Sequence, residues 1–440
     1  MHDKHRWFKI TDKSKVSESC VNALIEAGIE KASTTLILTR KHELNVESGR
    51  ISLLRTTDDV ELHMMGITDQ RMGTTSINKT DSFSIGKAIS ELEVLIDSSD
   101  SDPANEIAEK QPQESFSRGP EKPDVFLMYS RMKVFLELCK AEYPTLIFEQ
   151  VILNHTVKHR WYSNSNGVYF KSLRGGYDFL VMFTSKEGIN TSSFNYVSVS
   201  TENLSSDLHE FETVKRTIKQ SLEQTVTENL TGSFIGDVIV TPECMEDFVS
   251  IITGYLRDYH LMDGTSIFKD SLGKIIANER LSLHSKPVSD KLAVGYFFTE
   301  DGYKAENSTL IDKGVLNSFL LSLYGSRKTG KEKALNMGYC YVIDSGAFPL
   351  DEMVKSIEKG ILLCRFSGGY PSSNGDLSGV AKNSYYIENG EIKYPISETM
   401  IAGNLRDMLE SIKHISMERV NNGDSIIPWI TFSGITISGK

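Results

Sequence analysis

The sequence predicts a multi-domain α+β protein with mainly antiparallel or mixed sheets and flanking helices. Strand-like runs follow one another directly, joined by tight-turn signals such as Asn389-Gly390, and strands adjacent in sequence pair antiparallel. Amphipathic helices bracket groups of strands, as in the helix–sheet–helix order of the first hundred residues. At 440 residues, with 39% hydrophobic and 24% charged residues, the chain is too long for one small core and has an ordinary globular composition.

An N-terminal α/β domain is expected over residues 1–100. It opens with a helix over Val16–Ile29, whose Val21, Leu24, Ile25 and Ile29 form one stripe. Strands follow over Thr35–Val46, Ile51–Thr56 after Ser48-Gly49, Val60–Thr68 and Thr74–Asn78, with a turn at Asp69–Gly73. A second helix spans Phe83–Ile96. Residues 101–124 form a linker, in a polar stretch from Asp97 to Asp124 that holds four prolines.

A middle α+β domain is expected over 125–230. The helix Val125–Ala141 leads into strands Leu146–Thr156, Val168–Leu173, Tyr177–Thr184 and Phe194–Val199. Asn164-Ser165-Asn166-Gly167 and Arg174-Gly175-Gly176 supply turns, and a helix over Asp207–Leu230 closes the unit. The C-terminal domain, 231–440, starts with a short strand at Asp237–Val240. Pro242 then opens a helix to about Tyr259, where a missing N–H costs nothing. Met245, Phe248, Val249, Ile252, Tyr255, Leu256 and Tyr259 mark its buried face. Strands are expected at Leu292–Phe298 and Ser308–Ile311, then an apolar run at Val315–Tyr324. Val380–Ile387 and Glu391–Ile396 form the Asn389-Gly390 hairpin. Asn404 caps a helix over Leu405–Ile412, with Leu405, Met408, Leu409 and Ile412 on its apolar face.

A net charge of −11 argues against binding a phosphate backbone, so no nucleic-acid partner is expected. No run of eighteen apolar residues or signal-like N-terminus occurs, which points to a cytoplasmic chain without a membrane span. The five scattered cysteines form no CxxC pair, against a disulfide framework or zinc ribbon.

Chemical motifs fail individually. Gly325-Ser326-Arg327-Lys328-Thr329-Gly330-Lys331 matches a phosphate loop until Glu332, where the magnesium-binding hydroxyl should stand, so it reads as a polar turn. His42-Glu43 and His209-Glu210 lack the second histidine of a zinc helix. His155 and His159 share a strand face with no third donor nearby, and read as solvated. No GxSxG elbow exists, and Cys364 lies in an apolar run as a buried, inert thiol. The glycine-rich segment Ser367–Asp376 offers the best ligand-facing loop. Gly368, Gly369, Gly375 and Asp376 are its candidate substrate-binding residues.

Several stretches together carry a resemblance. They are Asp263–Asp270 with Leu272-Gly273, Ser308–Leu316, Phe319–Tyr324, Gly375-Asp376 with Ser378, and Asn383 with Ile387–Ile392 and Tyr394–Leu405. The chain resembles the TldD/PmbA family, whose members were once called modulators of DNA gyrase and are now viewed as peptidase subunits. Similarity is strongest after Gly236 and weaker over residues 16–225. In that family, TldD-like chains carry HExxxH on the central helix and a later cysteine, which together hold a catalytic metal. PmbA-like, or TldE-like, chains lack the set and pair with a TldD-like partner. The corresponding window here is Val249-Ser250-Ile251-Ile252-Thr253-Gly254, with no imidazole, thiolate or carboxylate, and no cysteine follows Cys364.

The resemblance therefore implies a PmbA-like subunit of a TldD/TldE-type metallopeptidase complex acting on unfolded or linear peptides. No metal, cofactor or catalytic residue is expected in this chain, and zinc is expected in a TldD-like partner. A dimer with itself, as a peptide-binding or regulatory module without proteolysis, is the alternative.

Overall fold

The computed structural model describes residues 13–47 and 49–440. Ser48 of the Ser48-Gly49 pair before the expected strand Ile51–Thr56, and the N-terminal stretch Met1–Trp7, lie outside them. Among the described residues the protein is α+β, with an eight-stranded and a fourteen-stranded sheet.

The N-terminal sheet has β1 (Lys31–Glu47), β2 (Arg50–Thr68), β3 (Arg71–Ile77), β4 (Glu114–Arg118), β5 (Leu146–Asn164), β6 (Tyr169–Glu187), β7 (Asn190–Thr191) and β8 (Asn195–Thr201). Its order is β3-β2-β1-β5-β6-β4, with β7 and β8 also pairing with β6. The two units expected over 1–100 and 125–230 are joined by the antiparallel β1–β5 ladder. The stretch expected as a linker adds β4, parallel to β6. Helices α1 (Val16–Glu26) and α2 (Ser82–Ser98) cover one area of the sheet, burying Leu24 and Leu92 against Leu36, Leu62 and Trp161. Helices α3 (Val125–Glu142) and α4 (Glu212–Glu223) cover another, around Phe135, Phe179 and Phe183. Burying both areas in one ladder leaves no exposed edge at β1 or β5.

Several expectations change in detail. The strands expected at Ile51–Thr56 and Val60–Thr68 are one strand, β2. The expected turn at Arg174-Gly175-Gly176 lies inside β6, which runs on to Glu187. Gly175 is there for close approach: a Cβ would run into the carbonyl of Pro120. Asn164–Gly167 does turn, with Gly167 at φ +87° and the Asn164 side chain accepting from Val168 N at 3.0 Å. The helix expected from Asp207 to Leu230 is a short 3-10 turn, Leu208–Glu210, followed by α4, which ends before β-branched Thr225, Val226 and Thr227.

In the C-terminal half, α5 (Pro242–Gly254) packs on the strand Ile426–Ser438, which also pairs with the strand Ser233–Val240. The helix expected to reach Tyr259 stops at Gly254. Arg257 is extended and bridges to Leu320, a second helix spans Asp258–Met262, and Tyr259 is 69% exposed. The glycine weakens the helix there, and pairing with Leu320 outweighs the apolar periodicity. Leu292–Phe298 is not a strand but an irregular segment laid against the N-terminal sheet. Asn389 and Gly390 turn the hairpin at φ +52° and +77°. Asn404 caps the helix Leu405–Glu410 by accepting from Arg406 N at 3.0 Å, and Ile412 opens the next strand rather than ending that helix.

Candidate functional site

Three features lie along and beyond α5: the helix window itself, a glycine-rich hairpin packed on the helix, and a large cleft that begins at Arg257. Within the window Val249 and Ile252 are each 1% exposed and belong to the core. Ser250 is exposed, and the Thr253 hydroxyl donates back to the Val249 carbonyl at 2.8 Å. The window's hydroxyls, one in solvent and one spent on its own helix, do not fit a zinc site.

The strand Arg365–Gly368 lies over this helix, with Phe366 and Phe248 ring centroids 5.5 Å apart. It pairs with Asp376–Lys382 as a hairpin, and Tyr255 Oη donates to the Ser372 carbonyl at 3.2 Å. Gly368 and Gly369 are exposed, and Tyr370 between them and the turn is 92% exposed. The other end is fixed. Gly375 is buried at φ +93°, a conformation that favours glycine, and its carbonyl accepts from Leu405 N at 2.9 Å. Asp376 accepts from Asn404 Nδ2 at 2.9 Å and Asn374 Nδ2 at 2.8 Å, and these amides hold its carboxyl below the usual range. The expected ligand-facing loop is therefore free at Gly368-Gly369 and pinned at Gly375-Asp376.

Beyond the end of α5 lies a cleft of about 1170 Å³. Its floor is a face of the N-terminal sheet, with Thr35, Lys158, Arg160 and Arg174. Its opposite wall comes from the C-terminal half, with Arg257, Tyr259, Tyr296 and Tyr339. Sequence reasoning missed this site because its floor depends on the β5–β6 register, which puts Lys158 opposite Arg174. The misread Arg174-Gly175-Gly176 turn hid that register.

On the other flank of α5, Glu246 accepts from Ser425 Oγ and from Asn422 Nδ2 at 3.3 Å. Burial first, then repulsion from Asp424, pushes its carboxyl up to about 7 despite those bonds. Glu243, one turn back, pairs with Arg216.

The motifs set aside in the sequence have structural roles. Leu323–Thr329 is a helix closed by Gly330 at φ +67°, not an open turn, and Lys328 is held by Asp102 at 2.9 Å. His155 is fully buried rather than solvated, its Nε2 2.9 Å from the Pro120 carbonyl, because the α3 side of β5 is core. Cys364 is buried and its thiol pushed up by burial. Among the described residues, one group of His, Cys, Asp and Glu is close enough to share an ion: Asp207, His209 and Glu210. It is occupied otherwise, since Asp207 pairs with Arg131 and Glu210 accepts from Asp207 N at 3.2 Å.

Residues 232–439 match the family model described as the PmbA/TldA metallopeptidase C-terminal domain. The C-terminal part of the chain is thus a domain of the PmbA/TldD family. The metalloprotease PmbA of Escherichia coli O157:H7 is 30% identical over 205 residues, 45% of this chain and 45% of that protein. The sequence match thus spans less than half the length of this curated relative. The fold likeness is wider. A structure titled as a modulator of DNA gyrase, from Bacteroides thetaiotaomicron, aligns at TM-score 0.85 and 21% identity over 97% of this chain and 98% of that one. TldE from Thermococcus kodakarensis aligns at TM-score 0.81 and 17% identity, covering 96% and 99%. Helix α5 lies within the matched domain, and the cleft lies where the N-terminal sheet meets that domain. Among the described residues no helix is long and apolar enough to cross a membrane.

Proposed function

We propose that this chain is the subunit without a catalytic metal in a cytoplasmic TldD/TldE-type peptidase complex, acting on unfolded or linear peptides. One observation carries the reading. The α5 window offers two buried aliphatic side chains, a solvent-facing serine and a self-bonded threonine where a metal-bearing relative would need ligands. In the complex a TldD-like partner would supply zinc and the water it activates. This chain would complete the chamber and hold the peptide.

The hairpin supports that role. Among the described residues the strand Arg365–Gly368 pairs on one side only, with Asp376–Lys382, so an extended peptide can add to its other edge by main-chain hydrogen bonds. Gly368 and Gly369 lie at the exposed end of that edge, while Gly375 and Asp376 fix the loop's return. Purified separately, neither this chain nor a TldD-like partner bearing HExxxH should cleave an unfolded peptide substrate at the rate of their mixture. The two should also co-purify as one complex. Full activity of the partner alone, unchanged by this chain, would sink the proposal and leave a non-proteolytic peptide-binding module.

A further inference from the structure

We infer that the cleft between the N-terminal sheet and the PmbA/TldD domain selects peptides carrying carboxylates, with Lys158, Arg160 and Arg174 as the anion-binding floor. This rests on the peptide-binding role proposed above and names the class of peptide. Lys158 and Arg174 are direct partners across the β5–β6 ladder, and Arg160 stands two residues along the same face. Like charges placed opposite each other on one sheet face repel, so an unneutralised set is costly without an anion.

No described carboxylate pairs with any of the three. Arg160 donates only to carbonyls, those of Phe298 and Thr299, and lies over the Phe298 ring at 4.5 Å. Arg174 donates only to the carbonyls of Leu292 and Ala293. Carbonyls satisfy N–H groups but leave the positive charge in place. Both guanidinia are thereby fixed with no carboxylate in direct contact, Glu300 and Glu202 acting on Arg160 and Arg174 only at longer range, while Lys158 is exposed and free to reach a ligand.

The cleft's acids are differently placed. Asp258 accepts from Ser322 N at 2.9 Å and from the Ser322 hydroxyl. Asp301 accepts from Leu323 N at 2.8 Å and from Thr299. Asp178 accepts from Ser200 Oγ at 2.7 Å, and Glu106 pairs with Lys31 at 2.7 Å. Glu300, on the wall facing Arg160, is the acid a ligand would have to displace or avoid. Opposite the cationic floor, Tyr259 and Tyr339 are 69% and 58% exposed, and Arg257 lies 4.6 Å over the Tyr339 ring. Exposed aromatic faces opposite fixed cations fit a peptide with apolar and acidic side chains. A nucleic acid fits less well, because the chain's net charge of −11 would repel a long polyanion.

The test uses the full chain and two fluorescein-labelled linear peptides, identical except that every glutamate of one is glutamine in the other. Fluorescence anisotropy should show the glutamate peptide binding about tenfold tighter, with the gap narrowing as salt rises. Lys158→Glu should abolish the gap by weakening only the glutamate peptide, Lys158→Gln should reduce it, and Lys158→Arg should retain it. Equal affinity of the two peptides, or an undiminished gap in Lys158→Glu, overturns the inference while leaving peptide binding intact. Binding of neither peptide overturns the peptide-binding reading as well. A single-stranded oligonucleotide of matched charge that competes as well as the glutamate peptide overturns the assignment to peptides.

Discussion

Phe248→Ala should lower the stability of the folded chain by about 3–5 kcal/mol, read as a drop in the denaturation midpoint. Phe248 is 1% exposed, and its ring packs between Phe366 of the hairpin and Phe432 of the strand beneath, with centroids 5.5 and 6.4 Å away. Truncation removes the transfer energy of a buried ring and leaves a cavity between three elements. Because Phe366 loses its support, segment 367–376 should become the first site of proteolytic cleavage. Tyr259→Ala, at a side chain 69% exposed, is the control and should stay within about 0.5 kcal/mol of the parent. Equal losses for both variants would contradict the packing described for α5.

Glu246→Gln should raise stability at pH 8 by about 2 kcal/mol and change it little at pH 4. An unfolded glutamate titrates near about 4.3, whereas burial and Asp424 push the folded Glu246 up to about 7. Its folded value is the higher one, so the folded state holds a proton that the unfolded state releases between those values. Stability from this group is therefore fully present below about pH 4 and is lost as pH rises through 7. The full difference would be worth about 3–4 kcal/mol, and partial exposure screens it to the smaller figure. Glutamine keeps an oxygen for Ser425 and Asn422 and presents an amide toward Asp424. Parallel pH–stability curves for parent and variant would rule out the raised carboxyl.

Local chemistry was the legible part of this fold. Asn389-Gly390, Asn164–Gly167, the Asn404 cap and the Pro242 helix start each follow from one or two side chains acting on their own backbone. Where a distant partner decides, sequence periodicity misleads. Gly175 looks like a turn residue until Pro120 is seen pressed against it. The apolar spacing continues past Gly254, but pairing with Leu320 breaks the helix and turns Tyr259 outward. The pairing of β1 with β5 joins segments more than a hundred residues apart, and no local pattern encodes it. The candidate site divides the same way. The α5 window and the glycine-rich hairpin are contiguous in sequence and could be named from it. The cationic floor of the cleft exists only through the β5–β6 register, so its residues look like ordinary surface charges in the sequence.

The window Val249–Gly254 of α5 holds no imidazole, thiolate or carboxylate, and one direct consequence follows. The purified full chain, dialysed against zinc-containing buffer and then against metal-free buffer, should retain far less than one zinc per chain by elemental analysis. One tightly held zinc per chain, lost on changing Ser250 and Thr253 to alanine, would contradict the reading of this chain as the subunit without a catalytic metal.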